Sequence, residues 1–148
     1  MGNWIFNRIY IGSDHAGFTL KKFLKINVSP EEWIDVGPDS DSSVDYPDYA
    51  HSLIHQFLSD SKDAVGVLIC GSGQGMAMTA NKYPQIRAAL CWDEESARLA
   101  REHNDANVLC LSARLIGQDL NLGILETFLS TPFAGGRHQK RVDKISKL

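Results

Sequence analysis

At 148 residues, with 43% hydrophobic residues and a formal net charge of −3, the chain has the size and composition of one globular domain spanning residues 1–148. The charge balance argues against a general nucleic-acid binder, and no apolar run approaches the roughly 20 residues that cross a bilayer as a helix. Cys70, Cys91 and Cys110 are odd in number, lack CxxC spacing and lie in or beside apolar runs. That is the usage of a reducing compartment, and with no signal-peptide h-region the expected location is cytoplasmic.

Residues 1–7 read as a short leader outside the fold. Residues 8–13 form a first strand, followed by Asp14-His15-Ala16-Gly17, after which Phe18, Leu20, Lys21, Phe23 and Leu24 continue at helical spacing. Residues 33–37 are a second strand leading into a polar loop. A helix over 46–58 follows, with Ala50, Leu53, Ile54, Phe57 and Leu58 on one face. The central strand, 64–70, is a continuous apolar run of the kind buried on both faces of a parallel sheet. It passes through Gly71-Ser72-Gly73-Gln74-Gly75 into a helix expected over 76–82. Strands at 86–91 and 107–111 alternate with helices from Asp93 through Arg101 and over 115–129. A basic helix or tail occupies 136–148. This alternation predicts a three-layer α/β/α Rossmann-like fold around a five-stranded parallel sheet.

The chemistry concentrates where strands end. A strand, a glycine loop and a helix start surround any ligand at the strand's carboxyl end with backbone N–H groups. Neither familiar glycine motif fits: a Rossmann fingerprint needs glycine where Met76 stands, and no Gly-Lys-Ser/Thr follows for a P-loop. The bland alternative is a Gly-rich turn with a structural cysteine. Cys70 nevertheless sits where a thiolate becomes available as base or nucleophile. Asp14 and His15, at the end of the first strand, should face the same crevice as Cys70 and Ser72; alone they would be a helix cap and a surface histidine. Cys91 and Cys110 read as small buried hydrophobes. His51 and His55 have a metal-ligand spacing, but no further ligand is evident and solvated helix histidines are expected. His103 stands out in an otherwise turn-forming polar segment. Arg137 and Arg141, one turn apart after two glycines, could clamp a phosphate, although a terminal basic helix is often only a solvated face.

Taken together, Gly12-Ser13-Asp14-His15-Ala16-Gly17-Phe18, Asp45-Tyr46-Pro47-Asp48-Tyr49-Ala50, Ile69-Cys70-Gly71-Ser72-Gly73-Gln74-Gly75, Ala80-Asn81-Lys82, His103-Asn104-Asp105-Ala106-Asn107 and Gly135-Gly136-Arg137-His138-Gln139 resemble the ribose-5-phosphate isomerase B family, with its galactose- and allose-phosphate isomerase relatives. The resemblance runs from Ile9 to about Ile145. It implies an aldose–ketose isomerisation of D-ribose 5-phosphate and D-ribulose 5-phosphate through a cis-enediolate, as in the pentose phosphate pathway, with no metal or cofactor. On that pattern Cys70 is the base and Ser72 shuttles the hydroxyl proton. Amides of Gly71, Gly73, Gln74 and Gly75 hold the enediolate oxygens, while Asp14 and His103 open the sugar ring. Tyr46 and Asn104 hold hydroxyls; Arg137 and Arg141, with His138 and His15, hold the phosphate. A branch of the family lacking the cysteine carries a glutamate where this chain has Met76, so here the base falls to Cys70. A hexose 6-phosphate substrate and a non-catalytic sugar-phosphate binder are the alternatives. The resemblance also implies a homodimer with shared active sites, or a tetramer built from such dimers.

Overall fold

The computed structural model describes residues 2 and 4–147. Five parallel strands, β1 (Arg8–Ser13), β2 (Glu32–Asp35), β3 (Ala64–Cys70), β4 (Ala88–Leu90) and β5 (Val108–Ser112), pair in the order β2-β1-β3-β5-β4. The helices are α1 (Phe18–Asn27), α2 (Tyr46–Ser59), α3 (Gln74–Ala80), α4 (Glu94–Glu102), α5 (Gln118–Ser130) and α6 (Gln139–Ile145). The expected α/β architecture with five parallel strands is therefore present.

Side-chain alternation along the strands builds the two layers. Ile9, Ile11, Val65, Val67, Ile69, Leu109 and Leu111 point to one face and pack with Leu24 of α1, Ala97 of α4 and Phe128 of α5. Tyr10, Leu68, Cys70 and Cys110 point to the other, against Leu53 and Phe57 of α2 and Met76 and Ala80 of α3. The order reverses between β1 and β3, because the chain leaves β1 toward β2 on one side and returns to β3 on the other. In an open parallel sheet that reversal opens a crevice at the carboxyl ends of the two strands.

Several boundaries move for identifiable reasons. The fourth strand is shorter than 86–91 because the Ile86 amide turns back to the Tyr83 carbonyl and the Arg87 amide donates to Asn107 Oδ1 at 2.7 Å. Pairing with β5 therefore begins at Ala88. Helix α5 starts at Gln118 instead of residue 115, since the Leu115 amide is taken by Ser112 Oγ at 3.1 Å in a preceding turn. Helix α3 begins two residues earlier than expected, set by Gly73 at φ +79°. A side chain there would be strained, and its Cβ would meet the Leu111 carbonyl at 3.0 Å.

The leader expectation is corrected for residues 4–7. Trp4 and Phe6 pack against the core, the Ile5 amide donates to the Leu129 carbonyl at 2.9 Å, and the Asn7 amide donates to Asp63. Apolar side chains and free amides at Ile5 and Asn7 find partners on the α5 end and the β3 entry, so this segment belongs to the fold. Met1 and Asn3 of the leader, and Leu148 of the tail, lie outside the described residues. The C-terminal segment is a 3-10 turn at Gly136–His138 continued by α6, which is anchored through buried Val142 and a hydrogen bond from Ser146 Oγ to the Pro84 carbonyl.

Candidate active site

Cys70 ends β3, and its sulfur accepts a hydrogen bond from the Gly73 amide at 3.2 Å. The loop that follows is fixed from β5: Ser112 Oγ donates to the Gly71 carbonyl at 2.7 Å, and the amides of Ala113 and Arg114 donate to the carbonyls of Cys70 and Gly71 at 3.0 Å. Ser72 Oγ accepts from the Gln74 amide at 3.3 Å. These contacts fasten the loop to β5, and its glycines leave its backbone amides unscreened by side chains. Gly75 lies close under Tyr46: a Cβ there would meet the ring at 2.4 Å, so any side chain would displace the tyrosine.

Asp14 follows β1 across the crevice. It is buried, its amide donates to the Ile69 carbonyl, and its Oδ1 accepts from the Gly17 amide at 3.1 Å. His15 is half-buried, and its Nδ1 accepts from the Val44 amide at 3.2 Å, which leaves the N–H of the neutral ring on Nε2. Tyr46 opens α2 and stands over the glycine loop, partly exposed. The segment that carries it is tethered by buried Lys21, whose Nζ donates to Asp35 Oδ1 at 2.9 Å and to the Pro38 carbonyl at 2.7 Å. Partial burial would raise the Asp35 carboxyl, but hydrogen bonds from Lys21, Lys25 and the Gly37 amide outweigh it and hold the group below its ordinary value. Asp14, His15, Tyr46, Cys70, Gly71, Ser72, Gly73, Gln74 and Gly75 thus share one edge of the sheet.

The remaining expected site residues lie elsewhere. His103 caps the C-terminus of α4 and precedes β5, which places it and Asn104 at the amino edge. The His138 ring stacks on His103 with centroids 4.2 Å apart and planes 13° from parallel. Arg137 and Arg141 are exposed beside it. Desolvation, then the neighbouring His103, Arg137 and Arg141, push the His138 imidazole below its ordinary value, against the smaller opposing effect of the Glu102 carboxylate, which lies 3.7 Å from His103 Nε2. One chain therefore carries two separate clusters: a thiol, carboxylate and amide loop at the carboxyl edge, and a histidine, asparagine and arginine group at the amino edge.

The other reactive groups are accounted for by packing. Burial pushes the Cys91 thiol up to about 12 and the Cys110 thiol well above its ordinary value, consistent with inert core cysteines. Met76 is fully buried beneath the loop. His51 and His55 are exposed as expected but are not simply solvated: His51 Nδ1 and His55 Nε2 both contact the Tyr83 hydroxyl, at 2.6 and 3.2 Å. Among the described residues no group of three or more metal-ligating side chains occurs.

Sequence reasoning missed Arg114. Its guanidinium lies against Gly71, where a Cβ would meet Nη1 at 3.4 Å, and among the described residues it makes no ion pair. Its position two residues beyond β5, on the same edge as Cys70, is the signal that could have found it.

The Ribose/Galactose Isomerase family matches residues 9–145. A probable ribose-5-phosphate isomerase B of Mycoplasma genitalium is 44% identical over 93% of this chain and 92% of its own length. A ribose 5-phosphate isomerase structure from Thermotoga maritima is 49% identical, superposes with a TM-score of 0.90, and is covered over 98% of its length and 95% of this one. The Mycoplasma genitalium enzyme solved with bound ribulose-5-phosphate is 43% identical with a TM-score of 0.89, covering 95% of this chain and 94% of that one. With a profile spanning nearly the whole sequence and relatives matched end to end, the chain belongs to the Ribose/Galactose Isomerase family.

Proposed function

We propose that the protein interconverts D-ribose 5-phosphate and D-ribulose 5-phosphate as a single isomerase domain. The observation that carries this reading is the loop after β3, where the Cys70 sulfur meets the Gly73 amide beside a glycine run open to the crevice. The relative solved with ribulose-5-phosphate supports the choice of a pentose phosphate.

The steps follow from proton positions. Asp14 and His103 relay the proton that opens the furanose. The Cys70 thiolate, held by the Gly73 amide, takes the proton from C2 of the open aldose, and the C1 carbonyl becomes the enediolate. Amides of Gly71, Gly73, Gln74 and Gly75 stabilise the charge on O1 and O2. Ser72 carries a proton from O2 to O1, and the Cys70 thiol returns its proton to C1 as the C2 carbonyl forms. The net change moves one proton from C2 to C1 and one from O2 to O1, so the chemistry calls for no metal or cofactor. Tyr46 and Asn104 hold hydroxyls, and Arg137, Arg141, His138 and His15 hold the phosphate.

Because the two half-sites sit on opposite edges of the sheet, the reading requires a second copy of the chain to supply His103, Asn104, Arg137, His138 and Arg141. A homodimer with two such composite sites satisfies this. Among the described residues no helix is long and apolar enough to cross a membrane, and the three cysteines are unpaired; the reading places the enzyme in the reducing cytoplasm. Assay of ribose 5-phosphate beside allose 6-phosphate and galactose 6-phosphate tests the substrate. A preference for either hexose phosphate overturns the pentose assignment, and binding of all three without turnover overturns the catalytic one.

A further inference from the structure

Asp105 has a left-handed backbone, φ +48°, a region that aspartate tolerates better than most residues but seldom occupies. Its carboxylate is gripped from two sides. Arg101 Nη1 donates to Oδ1 at 3.0 Å and Arg87 Nη2 donates to Oδ2 at 3.3 Å, while Arg87 Nε donates to the Asp105 carbonyl at 2.9 Å. Arg87 is itself fixed by Asn107, whose Oδ1 accepts its amide and whose own amide donates to its carbonyl at 3.0 Å.

Arg101 is the deeper partner. It is 5% exposed, lies over the rings of Phe6 and Phe128, and also donates to the carbonyls of Ala106 at 2.6 Å and Thr131 at 3.1 Å. One guanidinium thus joins the turn that carries His103 and Asn104 to the segment that leads to Arg137 and His138. The Ala134 amide adds a second tie, donating to the Glu102 carbonyl at 3.0 Å. A helix end alone needs only glycine or asparagine at the left-handed position. Here the left-handed residue is acidic and is clamped by two arginines, immediately after the two residues assigned to the sugar. Strain of this kind, held in place by its surroundings, is a feature of functional sites.

We propose that Asp105, clamped between Arg87 and Arg101, is a positioning residue that fixes the turn presenting His103 and Asn104 to the sugar. The proposal rests on the reading that His103 helps to open the furanose ring. It acts through geometry, so its loss should slow ring opening far more than proton transfer between C2 and C1.

The test compares D-ribose 5-phosphate with its 4-deoxy analogue, which lacks the hydroxyl that closes a furanose and is always open. Asp105→Gly relieves the left-handed backbone and removes the clamp. It is expected to lose on the order of 100-fold in kcat on ribose 5-phosphate, the scale of a small misplacement, while its kcat on the analogue stays near wild type and any loss of the Asn104 contact appears in KM for both substrates. Asp105→Asn, which keeps an acceptor and tolerates the left-handed region, should restore most of the loss. Should Asp105→Gly fail to fold, Arg87→Met removes one arm of the clamp and must show the same split in smaller degree. Equal losses on the two substrates, or no loss, overturn the proposal. His103→Ala separates it from the reading beneath. If His103→Ala splits the substrates and the clamp variants do not, the positioning role alone falls. If His103→Ala shows no split, the ring-opening reading falls and the proposal with it.

Discussion

Cys70 and His103 lie at opposite edges of the same parallel sheet. Cys70 closes β3 opposite Ser112, whereas His103 precedes β5, whose first residue, Val108, pairs with Gly66. The rise from Gly66 to Cys70 alone is about 13 Å at roughly 3.3 Å per residue. A histidine side chain does not bridge that span, yet the ring-opening and proton-transfer steps act on adjacent carbons of one sugar. The carboxyl edge carries the Cys70 thiol and the amides of the glycine loop, and the amino edge carries the stacked His103 and His138 rings with Arg137 and Arg141 beside them.

Cys70→Ala is expected to lose about 10²–10⁴-fold in kcat, the contribution of a positioned acid–base group, with little change in substrate affinity. Cys91→Ala should leave turnover near wild type at a stability cost of about 1 kcal/mol, since that buried thiol stays protonated at neutral pH. Steady-state kinetics with binding measured separately decides it, and near-normal turnover by Cys70→Ala removes the thiol from the mechanism.

Arg137→Ala and Arg141→Ala should each weaken phosphate recognition by about 1.5–3 kcal/mol, the worth of a charged hydrogen bond. Both side chains are exposed beside the His103–His138 stack. The effect should appear in KM and in inhibition by inorganic phosphate. If neither quantity changes in either variant, the phosphate is held elsewhere.

Strand periodicity and glycine placement made much of this structure legible in the sequence. The first strand has the expected bounds, 8–13, because its buried run gives way to polar residues at Ser13 and Asp14. The central strand ends at Cys70 for the same reason. What local pattern could not reveal were contacts made across long separations. Trp4 and Phe6 look like a leader until α5 and Arg101 are there to receive them. Asn107 shortens β4 from twenty residues away. Tyr83 gathers His51 and His55, and Arg114 reaches Gly71, only through the folded arrangement of separate elements. The placement of Cys70 and His103 at opposite edges was readable, since a helix that follows a strand in a parallel sheet must return to the amino edge.

Asp35→Ala should destabilise the fold strongly, because it strips the partner from buried Lys21. Removing one member of such a pair costs about 3–5 kcal/mol, near the lower end here given that Asp35 is itself partly exposed. The pH dependence has a definite sign. The folded carboxyl titrates below its unfolded counterpart, so its contribution is fully present above an unfolded value of about 3.9 and fades as pH falls through the lower folded value. Chemical denaturation from neutral to acid pH should therefore show wild type converging on Asp35→Asn only in that acid window. A constant gap down to the lowest pH would falsify the assignment of the shift to this ion pair. Turnover should fall as well, because the same lysine holds the Pro38 carbonyl at the root of the segment that carries Tyr46.

The proposed sharing of active sites between two chains gives the most discriminating prediction. Cys70→Ala and His103→Asn each disable a different half-site, and each homodimer should be inactive. When the two are mixed under conditions that allow subunit exchange, every mixed dimer contains one site built from an intact Cys70 loop and an intact His103 cluster. The other site carries both substitutions. Activity should recover toward one quarter of wild type at full exchange of equal amounts, because about half the dimers are mixed and each has one working site of two. Were each site formed within a single chain, every site in the mixture would carry one substitution and nothing would recover. Exchange verified by mass-tagged subunits, without return of activity, rules out the composite site and leaves His103 without a part in the chemistry at Cys70.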